Sequence, residues 1–126
     1  MEIEVEEKEG YAVVAPVGEL DVYTVPLFRK VVLKLGADRR HDLIMDLTKL
    51  TFIDSSGLGS LIETFQKVQS AEGEIVFVID NPRILKILKL VDLDKVLHIF
   101  ENLGRALEHV GAAGGYYDEE FFSDLT

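Results

Sequence analysis

Cysteine is absent from all 126 residues, which rules out disulfides, thiol nucleophiles and thiolate metal sites. Histidine is scarce, and His41, His98 and His109 are scattered along the chain. Scattered imidazoles of this kind support neither redox nor zinc chemistry, so no metal site is assigned. His98 alternates with Leu97 and Ile99 and reads as a strand-surface or satisfied core residue rather than a catalytic base. Basic residues are in deficit: 13 Lys and Arg against 23 Asp and Glu leave a formal net charge of −10. That charge repels polyanions and removes the counterion-release drive of nucleic-acid binding, so direct DNA recognition is not expected and a partner with a basic surface fits better. No apolar run approaches the length of a bilayer span, and no basic N-terminal region leads into one. The expectation is a soluble, cytoplasmic chain without membrane insertion.

Catalytic signatures are also missing. There is no Gly-x-Ser-x-Gly elbow, no phosphate-cradling glycine loop ending in Lys-Ser/Thr, and no acid pair distinct from the ordinary surface charge. The sequence therefore assigns no catalytic residue and no cofactor, and the lone Gly57-x-Gly59 is weak support for a nucleotide site.

What is present is a 48% hydrophobic chain of single-domain length with clear periodicities. Residues 3–6 alternate apolar and acidic, as an edge strand does. Residues 11–17 form a more apolar run that includes Pro16, so the two read as a hairpin ending at Gly18. Val25, Phe28, Val31, Val32 and Leu35 keep helical spacing, with Thr24 placed to cap that helix and Pro26 in its first turn. Residues 43–47 read as a central strand. Leu58, Leu61, Ile62, Phe65 and Val68 predict a second helix from about Gly57, and residues 75–79 a fully buried strand. Pro82 opens a third helix marked by Ile84, Ile87, Leu88 and Val91. Residues 96–100 supply another strand, and Leu103, Ala106, Leu107 and Val110 mark a last helix. The order β-β-α-β-α-β-α-β-α calls for right-handed crossovers and a mixed, mostly parallel sheet with a hairpin edge and four helices, an α/β fold. Residues 1–110 form the domain. Residues 111–115 read as a glycine-rich flexible link, and residues 116–126 as a flexible acidic-aromatic tail able to dock.

The chemistry concentrates in Asp54-Ser55-Ser56-Gly57-Leu58-Gly59, placed at the start of the second helix. A helix N-terminus leaves unpaired N–H donors and the positive end of the dipole, so Ser or Asp there is commonly a cap. One cap suffices, yet three capping-type residues precede two glycines. The glycines either clear space for a phosphate or a partner backbone or serve tight packing of helix on sheet.

The run from Asp46 through Asp54-Ser55-Ser56-Gly57-Leu58-Gly59 resembles the signature of STAS domains, specifically anti-sigma factor antagonists. The resemblance extends to Gly18-Glu19-Leu20-Asp21, to Gly73-Glu74 and to the segment from Leu88 to Val96. It implies a non-enzymatic partner-switching protein that, unphosphorylated, binds an anti-sigma factor serine kinase and so releases the sigma factor. The kinase then phosphorylates the second serine of the motif, Ser56, with Ser55 as its neighbouring alternative. The partner surface implied by the resemblance comprises Asp21, Asp54, Ser55, Ser56, Gly57 and Leu58. Leu58 also belongs to the core stripe, and Asp21 and Asp54 are also placed to organise a turn and cap a helix. STAS modules of stress-signalling assemblies, or accessory subunits of lipid or anion transport systems, form the alternative reading. Monomer and weak dimer both stay open.

Overall fold

A computed structural model of the chain describes residues 1–37 and 42–114, with side chains described as far as residue 111. His41 and the tail of residues 116–126 lie outside the described residues. Ten elements with labels follow in order: β1 (Glu2–Lys8), β2 (Tyr11–Leu20), α1 (Val25–Lys34), β3 (Asp42–Asp46), β4 (Leu50–Ile53), α2 (Ser55–Ser70), β5 (Ile75–Val78), α3 (Pro82–Leu90), β6 (Ile99–Phe100) and α4 (Leu103–Gly114). A short 3₁₀ turn, Leu93–Lys95, separates α3 from β6.

The sheet runs β1-β2-β3-β5-β6, with β4 beside β2. Among the described residues only β1 against β2 is antiparallel; β2 with β3, β2 with β4, β3 with β5 and β5 with β6 are parallel. This is the mixed, mostly parallel sheet with four helices that the element pattern requires, with one strand more than the periodicity reveals.

The extra strand arises because β2 changes partner along its length. Residues Tyr11 to Val14 pair with β3, whereas Gly18 to Leu20 pair with β4. Pro16, which has no N–H to donate, falls in the gap between the two ladders and faces Ile3 of β1 on the other side. Gly18, at φ +99°, supplies the backbone irregularity where the register shifts. β2 therefore extends two residues past the hairpin end expected at Gly18, and residues 50–53 form a strand instead of a plain connection.

Strand alternation divides the core. Ala12, Val14, Leu43, Met45, Ile75 and Phe77 face α1, α2 and α3, where they meet Phe28, Val32, Leu61, Val68, Ile84 and Leu88. Val13, Ile44, Val76 and Val78 face α4 and meet Ala106 and Val110. Each large side chain so buried contributes roughly 1.5–3 kcal/mol of transfer free energy, which is why both stripes outrank local propensity.

Three local expectations change. Thr24 makes no side-chain cap hydrogen bond to α1. Residues 96–100 contribute only the two-residue strand β6, because the 3₁₀ turn uses the chain just before them. Finally, α4 continues to Gly114, through the first four residues of the segment read as a link. Pro26 and Pro82 do occupy first helical turns, where the missing N–H costs nothing.

Candidate functional site

Parallel strands bring the C-terminal ends of β2 and β4 to one end of the sheet, and the chain enters α2 directly from β4. Asp54 sits between them in extended conformation (φ −106°, ψ −173°) and is the N-cap of α2. Its Oδ1 accepts the Gly57 N–H at 2.9 Å, and its main-chain oxygen accepts the Leu58 N–H at 2.9 Å. The helix thus begins at Ser55, two residues before the start expected at Gly57, because Asp54 caps from outside and both serines fold into the first turn.

The same carboxylate reaches across to the loop after β2. Asp54 Oδ2 accepts the Val22 N–H at 3.1 Å, and the Asp54 N–H donates to the Leu20 carbonyl at 3.3 Å. One residue thereby fastens the Leu20-Asp21-Val22 loop to the helix that carries the serines. Asp54→Ala removes both acceptor contacts at once; a loss of about 2 kcal/mol is expected, at the upper end for an N-cap. A urea midpoint unchanged from the parent chain would refute that role.

Asp21 is occupied in its own turn. Its Oδ1 accepts from Tyr23 N–H at 2.9 Å and Thr24 N–H at 3.1 Å, while its main-chain oxygen accepts Val25 N–H at 2.9 Å. Thr24 Oγ1 in turn accepts the Asp21 N–H and donates to the Glu19 carbonyl, each at 2.9 Å. The threonine hydroxyl is thus committed to the loop rather than to capping α1, and Asp21 organises the approach to the helix.

The remaining motif positions divide by exposure. Ser55 is exposed and Ser56 half-buried. Their N–H groups lie in the first helical turn, ahead of any intrahelical acceptor, beside the positive end of the α2 dipole. Gly57 is buried: a Cβ built there would lie 2.3 Å from the Leu20 carbonyl oxygen and 2.6 Å from Ile53 Cγ1. A Cβ at Gly59 would meet nothing within 4 Å. The two glycines therefore have different roles, tight packing at Gly57 and open surface at Gly59. Leu58 is half-buried and packs against the main core. The structure thus brings Asp54, Ser55, Ser56 and the Asp21 loop together, with Gly57 and Leu58 packed beneath them.

Residues that pattern reasoning missed lie in the loop fastened by Asp54, in the first turn of α1 and on β4. Tyr23 is 89% exposed, and Val22, Leu27 and Phe52 are exposed as well. A tyrosine held in solvent by an ordered turn is the sort of anchor enriched in protein interfaces. The only sequence signal was an apolar Val22-Tyr23 pair directly after a turn-forming Asp.

The STAS domain model matches residues 2–106. The chain belongs to the STAS family. Among its relatives is an anti-sigma-B factor antagonist of Staphylococcus aureus, 30% identical over 84 residues, a span of 67% of this chain and 78% of the relative. An anti-sigma factor antagonist from Mycobacterium paratuberculosis superposes with a TM-score of 0.78 at 30% identity, covering 86% of this chain and 92% of that one. The STAS domain also shares its fold with the phosphorylated form of the Bacillus cell fate determinant SpoIIAA, at TM-score 0.67 and 21% identity, covering 86% of this chain and 99% of that one. The two relatives at 30% identity place the chain in the anti-sigma factor antagonist family of STAS proteins. No described helix is long and apolar enough to cross a membrane.

Proposed function

We propose that the protein is a phosphorylation-controlled partner switch. Its unmodified form binds an anti-sigma factor kinase, which releases the sigma factor, and phosphorylation of Ser56 ends that binding. The reading is supported most by one observation: Ser56 lies in the first turn of α2, on a helix start that Asp54 ties to a loop displaying an exposed tyrosine. Acceptor and docking surface are thus one unit.

In the transfer, Ser56 Oγ attacks the γ-phosphorus of ATP, the bond to the departing ADP breaks, and the hydroxyl proton passes to a base of the kinase. The product carries about −1.5 to −2 charges, which the N-terminal end of α2 accommodates. No step requires a catalytic side chain from this chain.

The test is phosphate incorporation from ATP by the cognate kinase. Ser56→Ala is expected to lower incorporation at least about a hundredfold, the loss of the nucleophile itself, while Ser55→Ala keeps it within about threefold of the parent. Undiminished labelling of Ser56→Ala would sink the assignment. Loss with Ser55→Ala alone would move it to the neighbouring hydroxyl.

A further inference from the structure

Two of the three histidines that look scattered in the sequence meet at the opposite end of the sheet from Ser56. Glu74 immediately precedes β5, His98 immediately precedes β6, and His109 lies on α4. Glu74 and Val76 alternate onto the α4 side of the sheet, and β5 pairs with β6 so that Phe77 faces Ile99, which brings His98 beside this row. His109 follows the buried Ala106 by three residues on α4, which brings its ring to the same place.

The three side chains form a convergent donor set. His109 Nε2 lies 2.5 Å from Glu74 Oε1. The His98 and His109 rings stand edge to face, with centroids 4.5 Å apart. One donor atom from each of the three residues falls within 4.8 Å of the others. The backbones beneath are held firmly. Glu74 N–H donates to Asp42 Oδ1 at 2.7 Å, the Glu74 carbonyl accepts Leu43 N–H at 2.9 Å, and the His98 carbonyl accepts Phe77 N–H at 2.8 Å. Phe100 stacks on His98 at 4.6 Å and lies 5.2 Å from His109, which gives the cluster an apolar wall.

We propose that Glu74, His98 and His109 form a binding site for a divalent transition-metal ion of the zinc class. Two imidazoles and one carboxylate suit zinc, cobalt or nickel, whereas magnesium and calcium demand oxygen donors. Donors around a tetrahedral ion with bonds of about 2.0–2.1 Å lie roughly 3.4 Å apart. Reaching that value takes two adjustments: His98, the exposed member of the set, rotates toward the pair, and the 2.5 Å contact between His109 and Glu74 opens by about 0.9 Å as the ion enters. The ion replaces the hydrogen of the His109–Glu74 contact, and its fourth position stays open to water. Bound there, it ties the start of β5, the edge strand β6 and the later half of α4 to one another.

The test uses the full-length chain stripped with a chelator and titrated calorimetrically with zinc chloride at neutral pH. Uptake of one ion per chain is expected, unaffected by excess magnesium. His98→Ala and Glu74→Gln should each weaken it at least about tenfold, the scale on which even supporting residues of a metal site act. Cobalt should give the intense visible bands of a low-coordinate site. Because His98 is exposed, its alanine variant retains the fold, which the far-ultraviolet spectrum checks. Absence of saturable uptake overturns the proposal. So does uptake that both variants retain unchanged, which would assign the ion to the surface carboxylates of this acidic chain.

Discussion

Gly57→Ala is expected to destabilise the domain by about 3 kcal/mol, even though alanine is the better helix former by roughly 1 kcal/mol. The sign follows from what the methyl group meets. At 2.3 Å from the Leu20 carbonyl oxygen and 2.6 Å from Ile53 Cγ1, a Cβ stands far inside van der Waals contact, and the nearer atom is backbone that cannot rotate away. Relief requires α2 to lift from the end of β2, which also stretches the Asp54 bonds to Gly57 and Val22. Gly59→Ala serves as the matched comparison. With nothing within 4 Å of its Cβ, only propensity acts there, and a gain of about 0.5–1 kcal/mol is expected. Urea unfolding of the two variants should therefore move the midpoint in opposite directions. If Gly57→Ala matched Gly59→Ala, the close approach of α2 to the Leu20 carbonyl would be wrong.

The same contrast separates what is local in the sequence from what only the fold creates. α1, α3 and β5 were legible because each carries its own periodicity or an unbroken apolar run, and prolines mark the first turns of α1 and α3. β4 was not. Leu50 and Ile53 are buried while Thr51 and Phe52 are exposed, an i, i+3 spacing that breaks the alternation of a strand and is too short to mark a helix. Only the departure of β2 from β3, near Pro16, creates the vacant edge that makes those residues a strand. The site divides along the same line. That Asp54, Ser55 and Ser56 mark a helix start follows from capping chemistry, which is local. Whether Gly57 clears space or packs depends on Leu20, 37 positions earlier, and nothing local reveals it. Tyr23 and the meeting of His98 with His109 are tertiary facts of the same kind.

Phosphorylation of Ser56 is expected to weaken binding to the kinase partner about a hundredfold while leaving the fold intact, and Ser56→Asp to weaken it about tenfold. The domain itself loses little, because the added charge sits at the N-terminal end of α2, where the dipole favours anions by roughly 0.3–1 kcal/mol. The cost falls on the complex. A partner carboxylate about 6 Å from the new charge feels close to 3 kcal/mol of repulsion per unit charge at an effective dielectric of about 20. Screening over a Debye length of about 8 Å halves this to roughly 1.4 kcal/mol, a factor of ten. A phosphate, with nearly two charges, doubles the free energy and squares the factor. Calorimetric titration of the kinase with the parent, Ser56→Asp and phosphorylated proteins at two salt concentrations measures these steps. The gap between parent and phosphoprotein should narrow as salt rises. A gap that ignores salt would replace charge repulsion with steric exclusion as the cause, and equal binding by all three proteins would remove Ser56 from the switch.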